Sequence, residues 1–249
     1  MIDSPDQSEK DFLRTYDASV FKRPSTAIDC VIYTIIAGEL HVLLVERTHH
    51  PEKGKWSLVG GYVDIDNDND IESTAKRKLQ EKTGVKTPYL EQVLTIGNAK
   101  RDPRGWSITT VYFALLSFES IKLVAGKGAS NIKWSKVSQG KVNEDLAFDH
   151  ADILEKCTQR LHNRVLYTSL PLYLMPKEFT LGELQKAYEA VLGQAIDGKS
   201  FRRRILSAEL LVETGKLNRD TKRPAQIYAR SKSLRPHIFL RNLEGVENE

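Results

Sequence analysis

Residues Trp56 to Val85 read WSLVGGYVDIDNDNDIESTAKRKLQEKTGV, and the fold turns on this stretch. A glycine pair, Gly60 and Gly61, leads through an acidic loop into a helical pattern from Asp70 to Thr83 that Gly84 stops. Asp64, Asp66, Asp68 and Asp70 alternate in the loop as they would in a calcium site. The glycine and the distal glutamate that such a loop requires are both missing. A solvated acidic loop that caps the following helix accounts for the pattern better. On the helix, positions 78, 81 and 82 share one face because they are spaced by three and four. That face carries Lys78, Glu81 and Lys82.

The skeleton of this stretch resembles the Nudix hydrolase signature, in which a glycine loop leads into a helix ending in Arg-Glu-x-x-Glu-Glu-x-Gly. Trp56, Leu58, Gly60, Gly61, Arg77, Leu79, Glu81, Gly84 and Val85 fall in register, apart from two extra residues in the loop. The departures fall on the chemistry. In active members the helix face bears three glutamates that hold magnesium against a substrate pyrophosphate. Magnesium takes hard oxygen ligands and gains nothing from an ammonium. Here the face has a formal charge of plus one instead of minus three, and the signature's earlier glutamate aligns with Asn69. Hydrolysis of this kind needs the ion to polarise phosphate and activate water. The resemblance, with these departures, therefore implies a domain with no catalytic residue, no resident metal and no cofactor.

What it leaves is a pocket for a nucleoside diphosphate derivative, with Lys78, Lys82 and Glu81 on the former metal face and Arg77 tying the loop to the helix. Arg101 and Arg104, in the turn RDPRGW from 101 to 106, suit bidentate phosphate contacts. An ordinary basic surface turn is the alternative. The competing reading is an active pyrophosphatase working through Glu81 with Asp70 or Glu72.

Outward from this stretch, β-branched and aromatic residues predict strands at Thr26–Ile36, Leu40–Glu46, Tyr89–Ile96 and Ser107–Phe118, with shorter ones around Ile121 and Ile132. A second helical pattern runs from about Asp149 to Val165. This mixture predicts an α/β or α+β layer fold. At 249 residues and 40% hydrophobic content the chain can bury real cores. No apolar run approaches a membrane span, and the start MIDSPDQSEKDF lacks the basic and apolar regions of a signal peptide, so the cytoplasm is the expected compartment. Cys30 and Cys157 lack metal spacing and are expected to be buried thiols. The stretch Leu166–Pro176, bracketed by Pro171 and Pro176, is the expected linker.

Charge divides the chain at that point. Residues 1–176 hold 23 basic and 23 acidic side chains, whereas residues 177–241 hold 14 basic and 7 acidic. A neutral part joined to a basic one predicts a small-molecule module and a polyanion-binding module. In the second part Thr180 and Glu183 form a capping box, and Leu181, Leu184, Tyr188 and Val191 repeat at helical spacing. After Gly193 to Gly198 a second helix turns Phe201, Ile205 and Ala208 inward. Lys199, Ser200, Arg202, Arg203 and Arg204 crowd its first turns, where a recognition helix makes its contacts. Leu210–Glu213 and Gln226–Ala229 predict two strands joined by a basic wing with Lys216, Arg219, Lys222 and Arg223. Helix, turn, helix and basic hairpin make a winged helix-turn-helix. Its alternative use is protein interaction, but such a density of arginine favours duplex DNA.

A degenerate Nudix domain followed by a basic winged helix resembles the Nudix-related transcriptional regulators of bacterial NAD metabolism, the NrtR family, from about Phe21 to Arg235. FTLGELQKAYEAVLG, KSFRRRIL and RPAQIYAR carry that resemblance. It implies an N-terminal segment 1–24, a Nudix-like sensor domain 25–165, a linker 166–176, a winged helix 177–241 and an acidic tail 242–249. It also implies a homodimer that binds a double-stranded DNA operator and represses genes of NAD synthesis or salvage. The effector would be ADP-ribose or a related nucleotide, and Thr180 would join Lys199, Ser200, Arg202, Arg203, Arg204, Lys216, Lys222 and Arg223 at the DNA.

Overall fold

The computed structural model describes residues 8–85, 89–123, 129–219, 224–231 and 236–243. Its central strand is β1, Ser25–Ile36. The run AIDCVIYTII is buried on both faces: Ile28, Cys30 and Ile32 enter one core, and Val31 and Tyr33 enter another. Period-two alternation in a strand apolar on both sides requires a covering layer on each side. Helix α2, Ile71–Thr83, supplies one layer through Ala75 and Leu79. Helix α3, His150–Val165, supplies the other through Ile153, Leu154, Cys157, Leu161 and Val165. Both cysteines are buried free thiols.

Around β1 stand β2 (Glu39–Arg47), β3 (Trp56–Ser57), β4 (Val59–Tyr62), β5 (Tyr89–Asn98), β6 (Ser107–Leu115) and β7 (Ala129–Lys136). Among the described residues these form one sheet in the order β3-β2-β1-β6-β5, with β4 also paired to β1 and β7 to β2. β1 and β6 run parallel, from Ser25 opposite Ser107 to Tyr33 opposite Leu115, and the other pairs are antiparallel. The predicted strand to Phe118 ends at Leu115, and Ile121 closes a 3-10 turn instead of starting a strand. A short helix α1, Glu9–Thr15, precedes the sheet.

Helix α2 begins and ends as its sequence dictates. Asp70 accepts from the Ser73 N–H, Ser73 returns the bond, and Gly84 takes the left-handed conformation at φ 71°.

The basic part folds as β8 (Glu178–Thr180), α4 (Leu181–Leu192), α5 (Gly198–Ser207), β9 (Leu211–Asn218) and β10 (Ala225–Arg230). Its sheet has the order β8-β10-β9. Three-residue β8 was not legible in the sequence.

The expected linker is not one. Leu166, Leu170, Leu172 and Leu174 are buried in the same core that runs from the β1 and β6 side chains through α3 to Leu184, Tyr188, Phe201 and Ile205. Residues 170–173 form a 3-10 turn. The chain after the wing returns to this stretch: Phe239 N–H donates to Tyr167 O at 2.8 Å, Leu243 N–H to Leu166 O at 2.9 Å, and Ser169 exchanges bonds with His237. The prolines suggested an exposed connector. Four leucines at close spacing, with backbone groups satisfied by the C-terminal strap, make it a structural seam. Of the expected acidic tail, residues 244–249 lie outside the described residues.

Candidate functional site: a cationic cleft and a basic recognition helix

The cleft lies where β4 crosses β1, beside the acidic loop. A Cβ on Gly60 would stand 2.5 Å from both Asp29 Oδ1 and Ile28 O, so only glycine permits this approach. The loop is held as expected. Arg77 grips the buried Asp68 through two bonds, Nε to Oδ1 at 2.7 Å and Nη2 to Oδ2 at 2.6 Å, and its third arm reaches Glu81 at 3.1 Å. This arginine holds the Asp68 carboxyl well below the usual carboxylate range. Asp64 accepts from Asn67 and Asp70 caps α2, so these aspartates bond within the loop and to the helix start.

On the face of α2 where the resembled signature has glutamates, Lys78 Nζ donates to Glu81 Oε2 at 3.1 Å, and its Cε lies where a Cβ on Gly61 would be 2.8 Å away. Glu81 is thus shared by Arg77 and Lys78. Among the described residues no three histidine, cysteine or carboxylate groups are placed to hold a metal ion. The magnesium of the signature does not fit this donor set. Glu72, a candidate for the competing enzyme, is engaged with Lys76 at 2.5 Å. Lys82 alone of the two lysines lines the cleft. It is half-buried, and burial first, then Lys78, lowers its pKa against the opposing pull of Glu81.

The cleft encloses about 270 Å³, with Tyr62, Lys82, Arg104, Arg47, Phe148 and His150 among its lining. Arg104, expected to contact phosphate, lines the cleft with a side chain 49% exposed, bonds Asp102 at 2.6 Å, and lies 5.6 Å from the Tyr62 ring. Arg101 differs. Its side chain is 8% exposed, with Nε and Nη2 each donating to Asp149 at 3.0 Å and Nη2 also to Asp29 at 3.3 Å. It is a buried cross-link that lines the cleft, not a free phosphate hook. Its partners lie 72 and 48 residues away, beyond any local pattern. Arg47 was missed as well; it stacks on Phe148 at 4.6 Å.

Asp29 was the visible clue to this network, a carboxylate inside an apolar strand. It accepts from Thr109 at 2.8 Å and faces His150 Nε2 at 3.5 Å. The Leu58 N–H donates to His150 Nδ1 at 3.0 Å, which puts the proton of the neutral ring on Nε2, towards Asp29. Burial pushes His150 below its ordinary pKa of 6.5, although Asp29 and Asp149 pull the other way. Below that pH the unfolded chain takes up a proton that the folded ring refuses, so acid removes stability here. His150→Asn can still accept the Leu58 N–H. It is expected to flatten the decline in unfolding free energy from pH 6.5 to about 5, which thermal melts across that range would read.

In the second part, Asp197 caps α5 by accepting the Ser200 N–H at 2.7 Å. Phe201 and Ile205 face the core as expected, and Ala208 packs against it, while Lys199, Arg202 and Arg203 are exposed along the outer face. Two expected DNA contacts are corrected. Thr180 is buried in the α4 cap, where it accepts from the Glu183 N–H at 3.2 Å and bonds the Glu183 carboxylate at 2.9 Å. Arg204 turns inward: Nη1 donates to Arg241 O at 2.7 Å, Nη2 to Leu166 O at 3.0 Å, and the guanidinium lies 3.9 Å from the Phe239 ring. A run of three arginines on a helix spans most of its circumference, so one must face the protein. Lys216 stands on β9, not in the wing tip, and bridges to Glu178 at 2.7 Å. Lys222 and Arg223 lie outside the described residues.

Comparison with known proteins follows the same division. Residues 26–157 match the NUDIX domain family, and residues 171–229 match the NrtR DNA-binding winged helix domain. The ADPR responsive transcriptional repressor NtrR of Acinetobacter baylyi is 44% identical over 221 residues, covering 89% of this chain and 88% of its own. The crystal structure of Shewanella oneidensis NrtR complexed with a 27mer DNA superposes with a TM-score of 0.80 at 42% identity, over 88% of this chain and 99% of that one. The NUDIX domain of the same NrtR, complexed with ADP ribose, matches at 40% identity and a TM-score of 0.58, over 62% of this chain and 99% of that one. With both modules matched in order and the likeness running through the seam between them, the chain belongs to the NrtR family.

Proposed function

We propose that this protein is a DNA-binding transcriptional repressor of genes for NAD synthesis or salvage, released from its operator when ADP-ribose or a related NAD-derived nucleotide occupies the Nudix cleft. The observation that carries the reading is Lys82: a half-buried ammonium in the cleft, beside Arg104, on the helix face where the signature has a metal-binding carboxylate. A diphosphate supplies negative charge beyond the pull of Glu81, and supplies it without a bridging ion. Lys78 and Glu81, paired with each other at the edge of the cleft, set the position of α2 against Gly61.

The same substitution argues against turnover. With Lys78 and Lys82 in the ligand positions there is nothing to polarise the phosphate or activate water, so the nucleotide is bound intact and reports on the cell's NAD chemistry. At the DNA, Lys199, Arg202 and Arg203 of α5 act with Lys216, Lys222 and Arg223 of the wing, and Ser200 lies in the first turn of the recognition helix. Two copies related by a two-fold axis would read a symmetric operator, and the ligand acts by changing the relative setting of their winged helices. The cytoplasm is the compartment where such an operator is met. Among the described residues no helix is long and apolar enough to cross a membrane.

The decisive experiment titrates a fluorescent duplex from the gene's own neighbourhood with and without ADP-ribose in magnesium buffer, while following AMP. Intact ADP-ribose is expected to weaken DNA binding by about 5–150-fold, and by linkage the DNA weakens ADP-ribose binding by the same factor. Accumulating AMP would make the protein a hydrolase instead, and equal ADP-ribose affinity of the free and the DNA-bound protein would refute release by the ligand.

A further inference from the structure

One element joins the cleft to the recognition helix without interruption. The 16 residues of α3 rise about 24 Å from end to end. At its start Phe148 and His150 line the cleft, and Asp149, its N-cap, holds Arg101 through two bonds at 3.0 Å. The Leu58 N–H fixes the His150 ring. Along its length Ile153, Leu154, Cys157, Leu161 and Val165 are fully or almost fully buried, so the helix shifts as a body, not by bending. At its end, Leu166 O accepts at once from Arg204 Nη2 at 3.0 Å and from the Leu243 N–H at 2.9 Å. Arg204 belongs to α5, the helix that presents Arg202 and Arg203. Its other arm clasps Arg241 O, and its plane lies against Phe239, both in the C-terminal strap.

We infer that α3 and Arg204 form the mechanical link between effector and operator, with Arg204 as a positioning residue that makes α5 follow the end of α3. The inference rests on the reading of the cleft as a nucleotide diphosphate site. An entering diphosphate meets the start of α3 directly, where Phe148 and His150 line the cleft beside the Arg101–Asp149 cross-link. Its negative charge presses on that start, where the Asp149 side chain makes no capping bond to the backbone. The far end then shifts with the rod. Because one guanidinium holds the α3 terminus, the strap and α5 together, that shift reaches the recognition helix instead of dissipating at the seam. A lysine cannot reproduce this fork, having a single point of charge and no planar face to stack.

The test compares full-length wild type with Arg204→Lys. Three quantities are read: operator affinity by anisotropy, ADP-ribose affinity by calorimetry, and operator affinity at saturating ADP-ribose. In wild type the last quantity should fall by about 5–150-fold. Arg204→Lys is expected to keep both separate affinities close to wild type while that ratio collapses towards one. A purely structural role would lower operator affinity and leave the ratio unchanged, which would overturn the inference. If Arg204→Lys loses its native circular dichroism, Asp149→Asn carries the same test from the other end of the rod. Asp149 lies outside α5, and a folded Asp149→Asn with the wild-type ratio would overturn the inference equally. A ratio of one in wild type itself refutes the proposed effector response, which is a different failure.

Discussion

Arg101→Ala is expected to lower the free energy of unfolding by about 3–5 kcal/mol, because it leaves the buried Asp29 and the half-buried Asp149 without the cation that both bond. Asp29 and Asp149 have side chains only 10% and 19% exposed, and Arg101 is the group that reaches both. Urea midpoints would read this. A midpoint unchanged at neutral pH would mean that Arg101 is dispensable to the fold and acts at the ligand alone. The companion variant Arg104→Ala should leave stability nearly intact, since that side chain is half exposed. It should weaken ADP-ribose binding instead. The pair separates two arginines that the turn RDPRGW presents as equals.

The second large effect is expected at the DNA. Arg202→Ala and Arg203→Ala should each cost about 1–3 kcal/mol of operator affinity where the side chain reads a base, and reduce the salt slope by about one where it meets a phosphate. Both are exposed on the outer face of α5, so the double variant should fold normally. Anisotropy titrations at several salt concentrations would distinguish the two kinds of contact. Unchanged affinity in the double variant would remove α5 from the interface.

The contrast between these residues and Arg204 explains how far the sequence could be read. Period and punctuation were legible: the doubly apolar β1, the Asp70 cap and Gly84 stop of α2, and the Thr180–Glu183 box of α4 all depend on neighbours within a few positions. Lys78 and Lys82, standing where the resembled signature has glutamates, could be read in the same local way. Arg101 and Arg204 were not, because their meaning lies in partners 48 and 38 residues away, brought near by the sheet and the strap. An arginine offered to phosphate and an arginine stapling two elements have the same local sequence. The seam at 166–176 misled through its prolines, which mark a turn equally well on a surface or within a core. Thr180 misled by proximity: it begins the helix-turn-helix but spends its hydroxyl on the cap.

The uninterrupted core across that seam has a consequence for rearranging such proteins. Phe179, Leu184, Tyr188 and Phe201 pack in one cluster with Leu161, Val165 and Leu170, and the Tyr188 hydroxyl donates to Thr168 O at 2.9 Å. A DNA-reading half cut out at residue 177 would carry away one wall of a shared interior and leave it wet. Grafting a new operator preference onto this sensor therefore means exchanging the outward side chains of one helix, with the half-domain kept whole and in place. New specificity in this architecture is acquired by repainting a surface, not by trading parts.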